Sequence, residues 1–149
     1  MIININNKET KTAEEIRAIF QVSYAVEAEI LKAVDFPPLK RTVSQFVNCN
    51  SEFYAYCLTR NISGVIEIDN NQEITHIQSL IVDPKYFRNG IGRKLVQFIL
   101  DTYNSKIFTV ETGIDNQPAI KLYESFGFQE REQWETNHGI RKVRFEKRI

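Results

Sequence analysis

The stretch Val82-Asp83-Pro84-Lys85-Tyr86-Phe87-Arg88-Asn89-Gly90-Ile91-Gly92-Arg93-Lys94-Leu95 decides how this chain is organised. Before it, Ile74 to Val82 is rich in β-branched residues and reads as a strand, which must stop at Asp83-Pro84 because proline cannot donate to a ladder. After it, Ile91, Leu95, Ile99 and Tyr103 recur at helical spacing, so Gly90 to Tyr103 is expected to be a helix with Asn89 as its N-cap. Two glycines spaced one apart therefore open a helix just after a strand ends. Free amides and the helix dipole at such an N-terminus suit a phosphate, and missing Cβ atoms allow it close to the backbone. Arg88, Arg93 and Lys94 add positive charge. Alone, Gly-x-Gly fits a plain tight turn equally well. A P-loop would need Gly-Lys-Ser/Thr after a four-residue gap, and a Rossmann fingerprint a third Gly where this chain has Leu95.

Working outward, Ile107 to Thr112 reads as a strand, Pro118 to Phe126 as a helix, and Gln129 to Glu135 with Arg141 to Lys147 as two closing strands. Toward the N-terminus, Ile2 to Ile5 alternates as a short strand. Ala13 to Leu31 carries Ile16, Ile19, Phe20, Tyr24 and Ile30 near helical spacing, with Thr12 and Glu15 spaced as a capping box. Asp35-Phe36-Pro37-Pro38-Leu39 must be a loop, because each proline lacks a donor and restricts its predecessor. Val43 to Asn48 is a short helix, Phe53 to Thr59 a strand, Asn61 to Gly64 a turn, Val65 to Ile68 the hairpin partner, and Asn70-Asn71 a further turn. Hairpins at both ends of a β-α-β centre predict the α+β class, a mixed and largely antiparallel central sheet with helices on both faces. With no repeat, low-complexity tract or linker, residues 1–149 are expected to form a single domain.

Nineteen Lys plus Arg balance nineteen Asp plus Glu. A zero formal charge gives no global field for a polyanion, so no nucleic acid partner is expected. No apolar run approaches the ~20 residues of a membrane span, so no membrane association is expected either. The start, Met-Ile-Ile-Asn-Ile-Asn-Asn, has neither a basic n-region nor a long apolar h-region, and a cytoplasmic location is the expectation. Cys49 and Cys57 then read as reduced thiols filling small apolar spaces, with no evident base to make either a nucleophile. No metal is expected.

The second informative stretch is Asn116-Gln117-Pro118-Ala119-Ile120-Lys121-Leu122-Tyr123-Glu124-Ser125-Phe126-Gly127-Phe128. At ~100° per residue Asn116 and Tyr123 face the same way, with the small Ala119 between them leaving room for a ligand. By spacing alone Tyr123 is more often a core or rim aromatic than a catalytic phenol. Gly127 fits a helix C-cap.

In this order and separation the two stretches resemble the GNAT superfamily of acetyl-CoA-dependent N-acetyltransferases, closely over Ile74 to Phe128. The family's loop motif, Gln/Arg-x-x-Gly-x-Gly/Ala, is matched by Phe87-Arg88-Asn89-Gly90-Ile91-Gly92, with Phe87 standing where Gln or Arg is usual. Its later motif, Asn-x-x-Ala-x-x-x-Tyr-x-x-x-Gly-Phe, is met at Asn116, Ala119, Tyr123, Gly127 and Phe128. The resemblance implies a splayed pair of central strands, with the pantetheine arm of acetyl-CoA paired to the backbone of Leu80, Ile81 and Val82. It places the pyrophosphate on the loop and helix start from Phe87 through Arg88, Asn89, Gly90, Ile91 and Gly92 to Arg93 and Lys94. Asn116 and Ala119 would border the pantetheine, and Tyr123 would act as general acid toward the thiolate of coenzyme A.

The acceptor amine must also lose a proton. Many relatives carry a Glu six residues before the loop proline, where this chain has Gln78, which cannot take one. Glu111, on the facing strand, is the first replacement; Glu67, Glu73 and His76 are others. An acidic, aromatic rim of Tyr24, Glu27 and Phe36, with Glu29 and Asp35 nearby, would suit a cationic amine, but such a pattern is more often the solvated face of an amphipathic helix. The expectation is direct acetyl transfer from acetyl-CoA to a primary amine of a small molecule or peptide. The alternatives are a non-catalytic acyl-CoA-binding or sensing module, and a nucleotide-binding domain resting on the Gly-x-Gly turn. A closing strand around Val143 to Phe145 is the candidate edge for a homodimer, or simply ends the sheet.

Overall fold

Alternating and β-branched runs form seven strands: β1 (Ile2–Ile5), β2 (Glu52–Leu58), β3 (Asn61–Asn70), β4 (Ile74–Val82), β5 (Ile107–Gly113), β6 (Gln129–Glu135) and β7 (Arg141–Arg148). The computed structural model describes residues 1–149 and joins these strands in one sheet, ordered β1-β2-β3-β4-β5-β7-β6. Every neighbouring pair is antiparallel except β4 and β5. Four helices, α1 (Thr10–Leu31), α2 (Val43–Asn48), α3 (Ile91–Thr102) and α4 (Gln117–Ser125), cover both faces, as expected for the α+β class.

The cover follows from the helical stripes. Ala13, Ile16 and Phe20 of α1 pack with Phe46 of α2 against Phe53, Val65 and Ile81. On the opposite face Leu95, Val96 and Ile99 of α3 pack with Tyr123 and Phe128 against Ile66, Ile77, Phe108 and Phe145. Because β3 lies between these layers, Ser63 to Ile68 is buried on both sides and shows an unbroken buried run instead of alternation.

Four sequence expectations are corrected. The turn set at Asn61 to Gly64 lies inside β3, and the chain reverses one step earlier, where Thr59 takes φ +55°. Gly64 serves closeness, not turning: a Cβ there would stand 2.8 Å from Ile91 Cγ2. The Thr12 cap does not form, because α1 starts at Thr10 behind Glu9, whose carbonyl accepts from the Ala13 amide at 2.9 Å. Asn89 is not the cap of α3; Gly90 is, at φ +73°, while the Asn89 amide closes the preceding loop onto the Tyr86 carbonyl at 3.0 Å. Finally, β7 runs inside the sheet between β5 and β6, so Val143 and Phe145 are buried and offer no dimer edge.

Candidate active site

The parallel pairing of β4 with β5 covers only Ile74 to Ile77 against Ile107 to Val110. At the next residue β4 carries a bulge: Glu67 of β3 faces Ser79 and Ile68 faces Ile77, leaving Gln78 without a partner. A bulge bends its strand. From there β4 stays with β3, Leu80 opposite Ile66 and Val82 opposite Gly64, while β5 stays with β7, Glu111 opposite Arg144 and Gly113 opposite Lys142. The two strands separate, and a cleft of about 1250 Å³ opens between their carboxyl ends. Open sheets collect ligands at that place. Leu80, Ile81 and Val82 have no strand partner on the β5 side, which leaves a ladder edge for an extended, amide-bearing chain.

The mouth of the cleft is the start of α3. The amides of Ile91, Gly92 and Arg93 belong to a first helical turn and have no intrahelical partner. Gly90 and Arg88 both take left-handed conformations, φ +73° and +68°, which turn the loop across the helix end. Phe87, Arg88, Gly90, Ile91, Gly92 and Arg93 line the cleft; Asn89 and Lys94 do not. The Lys94 ammonium instead reaches the Tyr56 hydroxyl at 3.3 Å, and the Arg93 guanidinium donates to Ser125 Oγ at 2.9 Å. The amide cradle thus rests on backbone, with Arg88 its uncommitted cation.

Deeper in, Asn116 caps α4: its Oδ1 accepts from the Ala119 amide at 3.3 Å. Its Nδ2 donates to Glu27 Oε1 of α1 at 2.7 Å and to Thr112 Oγ1 at 3.3 Å. Both amide protons are spent on the protein, so only the second lone pair of Oδ1 is left for a ligand. Ala119 and Tyr123 follow along the wall of the cleft. Tyr123 is 4% exposed; burial chiefly, then the Glu27 charge, pushes its phenol well above the ordinary range and keeps it protonated.

Tyr24, Glu27 and Phe36 do come together in the same cleft. Tyr24 meets Phe36 edge-on with ring centroids 5.8 Å apart, and burial, ahead of the Glu27 charge, raises its phenol too. Glu27 is half-buried, and its carboxyl is pushed up to about 7, mainly by burial; the Lys142 charge and the Asn116 hydrogen bond act against that. Sequence reading placed Glu27 on a recognition rim and missed this contact, which joins residues 89 positions apart.

Among the candidate bases, Glu111 lines the cleft one residue past the divergence, half-buried, with Lys142 Nζ at 3.7 Å. Glu67 does not line this cleft: Arg41 holds it by two hydrogen bonds and Ser79 Oγ donates a third at 3.0 Å. Glu73 is exposed at the opposite end of β4, where its carbonyl accepts from the Lys106 and Ile107 amides. His76 Nδ1 lies 2.7 Å from Thr109 Oγ1, within the paired part of β4 and β5, and burial lowers its pKa. Arg41, His138 and Lys142 also line the cleft. Sequence reading gave them no role, and no local spacing ties them to the two motifs.

The Acetyltransferase (GNAT) family model matches residues 13–128. The UPF0157 protein YqkA of Bacillus subtilis is 33% identical over 141 residues, which is 94% of this chain and 41% of that protein. The present chain therefore spans well under half of that relative's length. The crystal structure of the ribosomal-protein-S18-alanine N-acetyltransferase from Escherichia coli superposes with a TM-score of 0.77 at 21% identity, covering 100% of this chain and 93% of that one. A putative streptothricin acetyltransferase from Bacillus anthracis, solved in complex with acetyl coenzyme A, gives 0.57 at 23% identity over 68% of this chain and 64% of its own. With a family model matched across both the splayed strands and the α4 motif, the chain belongs to the Acetyltransferase (GNAT) family.

Proposed function

We propose that this protein transfers the acetyl group of acetyl-CoA directly to a primary amine. One observation carries the reading: β4 and β5 part after Ile77 and Val110, and the resulting cleft has the N-terminus of α3 at its mouth and Tyr123 on its wall. A long, thin cosubstrate with an anionic end and two amides fits that arrangement. Its pyrophosphate would meet the free amides after Gly90, and its pantetheine the open edge of Leu80 to Val82. No helix is long and apolar enough to cross a membrane.

In this reading Tyr123 donates a proton to the thiolate as the thioester breaks. A thiol of ordinary pKa near 8.5 is a poor match for a phenol raised above 10, but the thiolate sits in the same desolvated wall and is raised with it. Glu111, the carboxylate of β5 beside the parting strands, accepts the proton that the nitrogen loses as its bond to the acetyl carbon forms. A sensing module would have no use for a buried phenol on the wall of the cleft.

The test is thermal unfolding with acetyl-CoA, CoA, ATP and NAD, followed by thiol release with a panel of amines. A ligand at 100 times its Kd adds about 2.7 kcal/mol, a rise in Tm of roughly 5–10 °C for a chain of this size. A shift with both coenzyme A species alone, with amine-dependent thiol release, is expected. Absence of a shift with either would defeat the reading.

A further inference from the structure

We infer that Glu27, on helix α1, is a second catalytic carboxylate, which receives the acceptor as an ammonium ion and takes its first proton. The inference rests on the acetyl-transfer reading and adds a residue outside both sequence motifs.

The chemistry calls for two acceptors. An alkylammonium becoming an amide gives up two protons: one to become a nucleophile, and one as the carbon–nitrogen bond forms. One proton is returned through Tyr123 to the departing thiolate, and the other leaves to solvent, so charge and atoms balance. Glu111 alone, beside Lys142, accounts for one transfer.

The geometry around Glu27 supplies the other. It lines the same cleft as Tyr123 and Glu111. Asn116 Nδ2 holds one carboxylate oxygen, Oε1, at 2.7 Å, and Oε2 makes no hydrogen bond within the protein. That hydrogen bond fixes the carboxylate on the same Asn116 that caps α4, whose helix carries Tyr123. The charge acting on it is that of Lys142 on β7, which also lies 3.7 Å from Glu111 of β5, and the Glu27 charge in turn acts on Tyr24 of its own helix and Tyr123 of α4. Edge-on Tyr24 and Phe36 form an aromatic flank suited to the apolar stem of an amine.

A carboxylate that titrates near 7 is matched to this task, since it is ionised enough to accept and basic enough to hold the proton. Glu27 must be ionised to act, so kcat/KM for the amine should rise with pH through about 7.

The test compares wild type with Glu27→Gln and Glu111→Gln, using amine-dependent thiol release across pH 5.5–9 and the acetyl-CoA affinity by calorimetry. Gln at position 27 still offers an oxygen to Asn116, so the fold and acetyl-CoA affinity are expected to hold. The inflection near 7 should vanish in Glu27→Gln, with kcat/KM down about 100-fold at pH 7.5, and persist in Glu111→Gln. Carbon-13 detection of the Glu27 carboxyl should show the same midpoint in the free protein. An inflection kept in Glu27→Gln, or a carboxyl titrating below 5, overturns the inference while leaving acetyl transfer intact. A wild type that binds acetyl-CoA yet acetylates no amine overturns both.

Discussion

Arg41 grips Glu67 through two hydrogen bonds, Nη1 to Oε1 at 2.7 Å and Nη2 to Oε2 at 2.9 Å, beneath helix α1. The guanidinium also lies 4.1 Å from the Phe46 ring centroid, and the Arg41 carbonyl accepts from Arg17 Nε at 3.1 Å. Arg41 closes the connection that carries Phe36, so this pair pins the Phe36 side of the cleft to the central strands. Arg41→Ala would leave the Glu67 carboxylate, 1% exposed, without its cation. A loss of about 3 kcal/mol is expected, the low end for a broken buried pair because Arg41 itself is partly exposed, or roughly 6–12 °C in Tm. Denaturant unfolding checks it; a loss below about 1 kcal/mol would show the pair to be no better than a surface contact.

Tyr123→Phe keeps the ring that packs on Phe128, at a centroid distance of 5.8 Å, and removes only the hydroxyl. Thiol release should slow by at least about 100-fold, the usual scale for a missing general acid, with acetyl-CoA affinity within about twofold of wild type. Calorimetry beside stopped-time thiol assays separates the two quantities. Affinity lost together with rate would make Tyr123 a packing residue.

What the sequence made legible was what local pattern controls. The end of β4 follows from Pro84 and the stripe of α3 from Ile91, Leu95 and Ile99, and α2 forms where its short helix was expected, begun by a Thr42 to Gln45 capping box that the structure adds. The side of the cleft built from α3 and α4 was legible because both motifs are contiguous and each lies on one loop and one helix. The side built from α1, β5 and β7 was not, because it joins separate elements, and the contact between Glu27 and Asn116 has no local signature. Turn-like composition also misled at Asn61 to Gly64, where the need to admit Ile91 of α3 outweighs local preference.

Gly90 and Gly92 should respond differently to alanine, although both belong to the same motif. At Gly90 space is open but φ is +73°, so a Cβ costs about 1 kcal/mol in backbone strain and tilts the amides at the start of α3. At Gly92 φ is ordinary and the nearest atom to an added Cβ is Leu122 Cδ2 at 3.6 Å, an unstrained contact. Gly90→Ala should weaken acetyl-CoA binding about tenfold, and Gly92→Ala should leave stability within about 0.5 kcal/mol of wild type. Equal effects on binding and stability at both positions would mean that the left-handed cap at Gly90 has no special part in the cradle.

Glu27 also sets a pH dependence of stability that needs no ligand to observe. Its carboxyl titrates near 7 in the folded chain against an ordinary 4.5, because burial penalises the charge. Between those values the folded state holds a proton that the unfolded chain has released, so stability falls as pH rises from about 4.5 to about 7 and is level above it. The full shift would convert to several kcal/mol, but the group is half-buried and hydrogen-bonded to Asn116, and about 1 kcal/mol is the expected contribution. Glu27→Gln cannot ionise and should therefore gain on wild type by about 2–4 °C in Tm at pH 8 while matching it near pH 5. Comparing the variant with wild type at both pH values cancels any constant effect of the substitution. An unchanged difference between pH 5 and pH 8 would mean that Glu27 titrates alike in both states, and that its position against α4 imposes no cost on its charge.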